Sequence, residues 1–194
     1  MKRVCVFCGS NPGTRPEYAD AARVLAREIV DRKLGLVYGG GSVGLMGVLA
    51  DAALGAGGEV IGVIPRPLAT RELAHPRLSE MRLVDSMHER KATMASLVDG
   101  FITLPGGLGT FEETLEVLTW AQLGIHLKPV GILDVLGYYE GLRRFLEHAQ
   151  GEGFIRAEHA ALLLFAPSAA ELLDTMAAWR PPGMRRAWLR PGQS

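Results

Sequence analysis

The feature that most constrains the fold is an alternation along the chain. Short apolar runs rich in Val and Ile are separated by longer segments with helical spacing of apolar residues, and the runs tend to end at Gly, Pro or Ser. Runs at 3–8, 34–38, 60–64, 81–84, 101–104, 130–133 and 162–165 read as strands. Segments at 16–32, 45–54, 87–98, 111–123, 139–150 and 169–179 read as helices. The strands are apolar at consecutive positions rather than alternate ones, as a sheet covered by helices on both faces demands. The expectation is an α/β fold, a Rossmann-like doubly wound parallel sheet. A chain of 194 residues can bury one such core. A single domain is therefore expected over 1–179, followed by a poorly ordered tail, 180–194, rich in Pro, Gly and Arg and without periodicity.

Charge narrows the function classes. Lys plus Arg and Asp plus Glu are equal at 21 each, so no global positive field draws the chain to nucleic acid. No apolar stretch approaches the roughly 20 residues of a membrane span, and the run after Met1-Lys2-Arg3 is too short for a signal-peptide core. The expected location is the cytoplasm. Cys5 and Cys8 lie three apart in a strand, on opposite faces, with no neighbouring ligands to complete a metal set. They read as reduced core thiols.

In an open parallel sheet, ligands bind beyond the carboxyl ends of the strands, where strand order reverses. Two of the turns there are rich in glycine: GGGSVGLMG at 39–47 and PGGLGTFEE at 105–113. Turns of this kind bring backbone N–H groups up to a phosphate at the positive end of a helix. Gly40, Gly41 and Gly44 of the first, with Gly9 and Ser10 after the first strand, are further candidates for phosphate or ribose contact. Gly39, Gly41 and Gly44 formally satisfy G-x-G-x-x-G, but the loop follows the second strand. The acid at the right distance, Glu59, precedes the next strand at the wrong end of the sheet, which argues against a dinucleotide. The triphosphate-binding pattern ending in Gly-Lys-Ser/Thr is absent.

Ser86-Met-His-Glu89 fits a capping box, placing Arg90 and Lys91 near the positive end of a helix dipole, where cations are locally unfavourable. A local rule broken at the ligand edge points to function. Thr110-Phe-Glu-Glu113 reads as a second capping box, with Glu113 either tying off its own helix or facing a sugar beside the phosphate. Neighbouring helical residues diverge by about 100°, so only one of Glu112 and Glu113 is expected in the site.

These residues carry a resemblance. PGGLGTFEE is similar to the P-G-G-x-G-T-x-x-E signature of the Lonely Guy (LOG) family of cytokinin riboside 5′-monophosphate phosphoribohydrolases. CVFCGS at 5–10, YGGGSVGLMG at 38–47, MHERK at 87–91 and TWAQLGIH at 119–126 also resemble family segments, in the same order. The resemblance implies a Rossmann-like fold, usually dimeric, that releases an adenine-type base and ribose 5-phosphate without metal or redox cofactor. Carried over by position, it implies that Arg90 and Glu113 are catalytic. Substrate contacts would come from Glu72, Arg90, Lys91, the run Gly107, Leu108, Gly109, Thr110, Phe111, Glu112 and Glu113, and Thr119. Gly106, Gly107, Gly109 and Thr110 would hold the 5′-phosphate. His88 is expected to pack or face solvent, and Met46, Met87 and Met94 are either core or the lining for an apolar substituent on the base.

Two other readings use the same loops. A non-catalytic nucleotide-binding module or cofactor carrier has no need of a carboxylate and an arginine converging on the sugar. A pyridoxal-phosphate decarboxylase needs a Schiff-base lysine, and the chain has only Lys2, Lys33, Lys91 and Lys128.

Overall fold

The computed structural model describes residues 1–69 and 74–182. Seven parallel strands form one sheet: β1 (Arg3–Phe7), β2 (Gly35–Tyr38), β3 (Val60–Pro65), β4 (Glu80–Val84), β5 (Gly100–Thr103), β6 (Val130–Leu133) and β7 (Leu163–Ala166). Their order is β4-β3-β2-β1-β5-β6-β7. The chain steps outward from β1 to β4, then returns to lay β5 on the other side of β1, so strand order reverses between β1 and β5. The interior strands β2, β3, β5 and β6 are buried at every position, and that two-sided burial is why their sequences are continuously apolar.

The helices are α1 (Pro16–Asp31), α2 (Gly44–Gly55), α3 (Met87–Leu97), α4 (Leu108–Leu123), α5 (Glu140–Gly151), a short α6 (Ala157–Ala160) and α7 (Ala169–Ala178). One sheet face is covered by α1, α2 and α7, through Leu25, Ile29, Leu49 and Leu172. The other is covered by α3, α4 and α5, through Met94, Val117 and Leu146. Each aliphatic side chain fully buried in these layers contributes about 1.5–3 kcal/mol relative to exposure. Cys5 and Cys8 are buried and free, one on each face.

Every strand and helix expected from the pattern is present, with no end shifted by more than three residues. The shift at α4 matters. Its first residue is Leu108 and its N-cap is Gly107, which makes no side-chain cap. Thr110 is therefore inside the helix, where its carbonyl accepts from Thr114 Oγ1 (2.7 Å), and the expected Thr110–Glu113 capping box does not form. Ser86 does cap α3, accepting from the Glu89 N–H at 3.1 Å. Glu89 reaches back one residue beyond the expected partner, to the N–H of Asp85 (2.7 Å). The far end of the proposed tail, 183–194, lies outside the described residues.

Candidate active site

The reversal between β1 and β5 creates a crevice, and the turns after these two strands meet across it. The Gly9 N–H donates to the Pro105 carbonyl (3.0 Å), and the Leu45 N–H, at the start of α2, donates to the Gly9 carbonyl (3.0 Å). Three strand ends, those of β1, β2 and β5, are thus tied to one another by backbone. Side chains would obstruct this meeting. A Cβ on Gly106 would lie 2.1 Å from Thr110 Oγ1, and one on Gly44, where φ is +60°, would lie 2.3 Å from the Ser10 backbone. By contrast, a Cβ on Gly107 or Gly109 meets no described atom within 4 Å. Those two glycines keep open the space above the first turn of α4, whose N–H groups have no carbonyl partner within the helix.

Two joined lobes occupy the C-terminal edge of the sheet. The polar lobe is a cavity of about 410 Å³ lined by Asn11, Gly107, Leu108, Gly109, Thr110, Glu112 and Glu113, with Cys8 at its base. The apolar lobe, about 220 Å³, is lined by Gly39, Gly41, Val43, Ile64, Pro65 and Leu68. Ser10, Met46, Met87 and Arg90 line both.

Arg90 and Glu113 meet at this junction. Arg90 leaves the first turn of α3 and donates Nη1–H to Glu113 Oε1 (2.7 Å) and Nε–H to the Val63 carbonyl at the end of β3 (3.0 Å). Glu113 is 8% exposed. Burial pushes its carboxyl above the usual 4.5, and the Arg90 charge and hydrogen bond oppose this without cancelling it. A carboxyl-¹³C titration of the free protein is therefore expected to give Glu113 a midpoint above 4.5, moving higher still in Arg90→Ala. A midpoint at or below 4.5 would mean the site is wetter than the packing indicates. The sign for stability follows from linkage. A raised folded-state pKa stabilises the fold at acid pH, and this stabilisation is lost as pH rises through that pKa.

Lys91 is directed elsewhere. Its ammonium is buried between α3 and α4, hydrogen-bonded to Glu112 and 2.9 Å from Glu116. The second contact is close but poorly aligned, and Glu116 Oε2 accepts no hydrogen bond among the described residues. Burial draws the lysine pKa down, and the bond to Glu112 with the charge of Glu116 beside it more than offsets that, so Lys91 sits above the ordinary lysine value. Both carboxylates line the polar lobe, where only one was expected: Glu112 is largely exposed at its rim, and Glu113 is the member of the pair that turns inward.

Of the other expected site residues, Ser10 and Gly41 line the lobes, while Gly9, Gly40 and Gly44 shape the turns. Phe111 packs edge-on against Tyr139, with ring centroids 6.1 Å apart. Thr119 is exposed two turns beyond Glu113, bonded to the Leu115 carbonyl (2.7 Å). Glu72 lies outside the described residues. His88 is exposed and lines neither lobe. The three methionines divide: Met46 and Met87 line the lobes, and Met94 is core. Val43, Ile64 and Leu68 were not anticipated, because apolar residues after strands carry no chemical signature that separates lining from core.

Comparison with known proteins fixes the lineage. The chain is 53% identical over 181 residues to the cytokinin riboside 5′-monophosphate phosphoribohydrolase LOG5 of Arabidopsis thaliana, covering 93% of this chain and 79% of that protein. The chain belongs to the LOG family. LOG7 of the same plant is 51% identical, with 93% and 83% covered. The probable phosphoribohydrolase LOGL3 of Oryza sativa subsp. japonica is 53% identical, with 93% and 86% covered. Residues 46–176 also match a family model described as "Possible lysine decarboxylase". Among solved structures, the LOG-family chain resembles the molybdenum cofactor carrier protein of Chlamydomonas reinhardtii. That likeness has a TM-score of 0.70 at 21% identity, covering 92% of this chain and 99% of that one. A molybdenum cofactor binding protein of Rippkaea orientalis gives a TM-score of 0.68 at 21% identity, with 92% and 97% covered. At that identity the likeness is one of fold.

Proposed function

We propose that this LOG-family chain hydrolyses the N-glycosidic bond of adenine-type nucleoside 5′-monophosphates, with N6-substituted cytokinin nucleotides preferred over AMP. The observation that carries this reading is the position of the Arg90–Glu113 pair where a polar, phosphate-suited lobe joins an apolar one. A nucleotide has the same polarity along its length, and its glycosidic bond lies between the two ends. With the 5′-phosphate at Gly106, Gly107, Gly109 and Thr110, the sugar falls beside Glu113 and the base enters the lobe of Val43, Met46, Ile64, Leu68 and Met87.

Breaking the C1′–N9 bond sends its electron pair to the base and leaves positive charge on the sugar. A fixed carboxylate is the complementary group for such a transition state. Water supplies the new C1′–O bond, and its proton ends on the departing base. Arg90 holds the Glu113 carboxylate in one orientation and favours its ionised form despite burial. Purines carry basic nitrogens that accept the proton, so no second carboxyl group is required as acid. Lys91, held by Glu112 and Glu116, lines neither lobe and acts on the site only by fixing Glu112.

The lysines speak against decarboxylation through a Schiff base. Lys2, Lys33 and Lys128 precede strands, at the end of the sheet away from the glycine turns. Lys91 is bound by carboxylates that favour its ammonium form, the opposite of what a Schiff-base lysine needs.

The chain is proposed to act as a homodimer in the cytoplasm. An apolar groove between α4 and α5, lined by Leu118, Leu146 and Ile155, supports a second copy packing there. Two buried free thiols suit a reducing compartment. Among the described residues, no helix is long and apolar enough to cross a membrane.

The test is chromatography of the products from AMP and N6-isopentenyl-AMP, each beside its nucleoside. Base is expected from the monophosphates and not from the nucleosides. The isopentenyl compound should be faster in kcat/KM by about tenfold or more, since filling an apolar pocket discriminates by that order. No base from any of the four would end the hydrolase reading, and equal rates would remove the apolar lobe from base recognition.

A further inference from the structure

Arg90 is fixed at two of its three nitrogens, and the third lies where a side chain would normally be. Nε donates to Val63 and Nη1 to Glu113. Nη2 comes within 2.3 Å of the position a Cβ on Gly39 would occupy, with Met46 Sδ 3.3 Å from the same point. We propose that Gly39 is a positioning residue for the reaction: its missing side chain is the seat of the Arg90 guanidinium, which could not otherwise bind Val63 and Glu113 together. This rests on the hydrolase reading above.

Whether the arginine or the backbone gives way decides the matter, and the backbone around Gly39 is tied on both sides. Tyr38 is fully buried and paired with Gly62 of β3. Its hydroxyl donates to the Gly41 carbonyl (3.1 Å). The Gly40 carbonyl accepts from the His75 N–H (2.9 Å), and Gly41 bridges Ala74. The guanidinium is the end of a long side chain and moves first. Gly39 is also not among the glycines with positive φ, whereas Gly40 is at +76°. Alanine at 39 therefore meets no backbone strain, and the fold has no reason to fail.

In Gly39→Ala, kcat for base release is expected to fall about 30-fold, within the range for a displacement of about 1 Å at a catalytic group, with a Tm between those of wild type and Arg90→Ala, because the bonds to Val63 and Glu113 are loosened together. The readout that separates positioning from simple damage is a double-mutant cycle with Arg90→Lys, which lacks the guanidinium that needs the seat. In that background Gly39→Ala should cost less than about threefold, because changes acting through one group do not add. A second readout is independent of activity: the Arg90 Nε–H resonance of ¹⁵N-labelled protein, assigned by its absence in Arg90→Lys, should shift or exchange away in Gly39→Ala. Wild-type kcat in Gly39→Ala, a full 30-fold loss in the Arg90→Lys background, or an unmoved Nε–H resonance would each overturn the proposal. If the wild-type protein releases no base, the hydrolase reading fails by itself, and the resonance alone decides whether Gly39 seats Arg90.

Discussion

Replacing Glu113 with Gln is expected to lower kcat for base release by about 100-fold or more, on the scale of a lost acid–base or charge-stabilising group, with Tm unchanged or raised. The amide is nearly the same shape as the carboxylate, and its oxygen can still accept from Arg90 Nη1. It cannot offer full negative charge to a sugar that is losing its base. The stability expectation follows from the direction of the Glu113 shift. Its pKa is raised by burial, so at neutral pH the folded chain holds a carboxylate against its preference, and a neutral amide removes that penalty. Single-turnover kinetics and a thermal melt check both parts. An active variant would remove Glu113 from the chemistry. An inactive variant that melts much earlier would make it a structural residue instead.

Arg90→Ala is expected to abolish measurable turnover, a loss on the order of 10³-fold, and, unlike Glu113→Gln, to destabilise the fold. Two functions fail together. Glu113 loses the partner that orients it and the charge that keeps it ionised, and the Val63 carbonyl loses its donor. Removing one member of a buried pair costs about 3–5 kcal/mol when the remaining charge has no escape. Glu113 does have one, since it can take up a proton, so the expected cost is smaller and eases as pH falls. Melting curves at several pH values, beside kcat, test this. Retained turnover would mean that Arg90 serves only α3.

Much of this was legible in the sequence. Two-sided burial leaves its mark as consecutive apolar residues, so all seven strands and the parallel sheet could be read directly. The wrong-end placement of Glu59 was equally plain, and in the fold it pairs with Arg3 at 2.8 Å, far from the glycine turns. The start of α4 was misread for a definite reason. A Ser or Thr cap announces itself through its side chain, whereas Gly107 begins the helix through backbone geometry alone, and Thr110 then looked like the first available cap. That misreading left Glu113 divided between capping and chemistry. With the helix beginning three residues earlier, Glu113 lies well inside it and its carboxylate is free to meet Arg90.

Sequence by itself determined which residues stand at the carboxyl edge of the sheet, because the end of each strand and the glycines after it are local features. Arg90, Lys91, Glu112 and Glu113 were placed there together. Only the tertiary structure decided how they pair. The crossing of α3 and α4 gives Lys91 to Glu112 and Glu116 and leaves Arg90 to Glu113. Those partners are 21 to 25 positions apart in the chain, on helices whose relative rotation is set by the packing of Met94 and Val117 in the shared layer. Hydrophobic periodicity fixes which face of a helix turns inward. It does not fix which charge on one helix meets which on the next, because that depends on side-chain shape across an interface that exists only after both helices have docked.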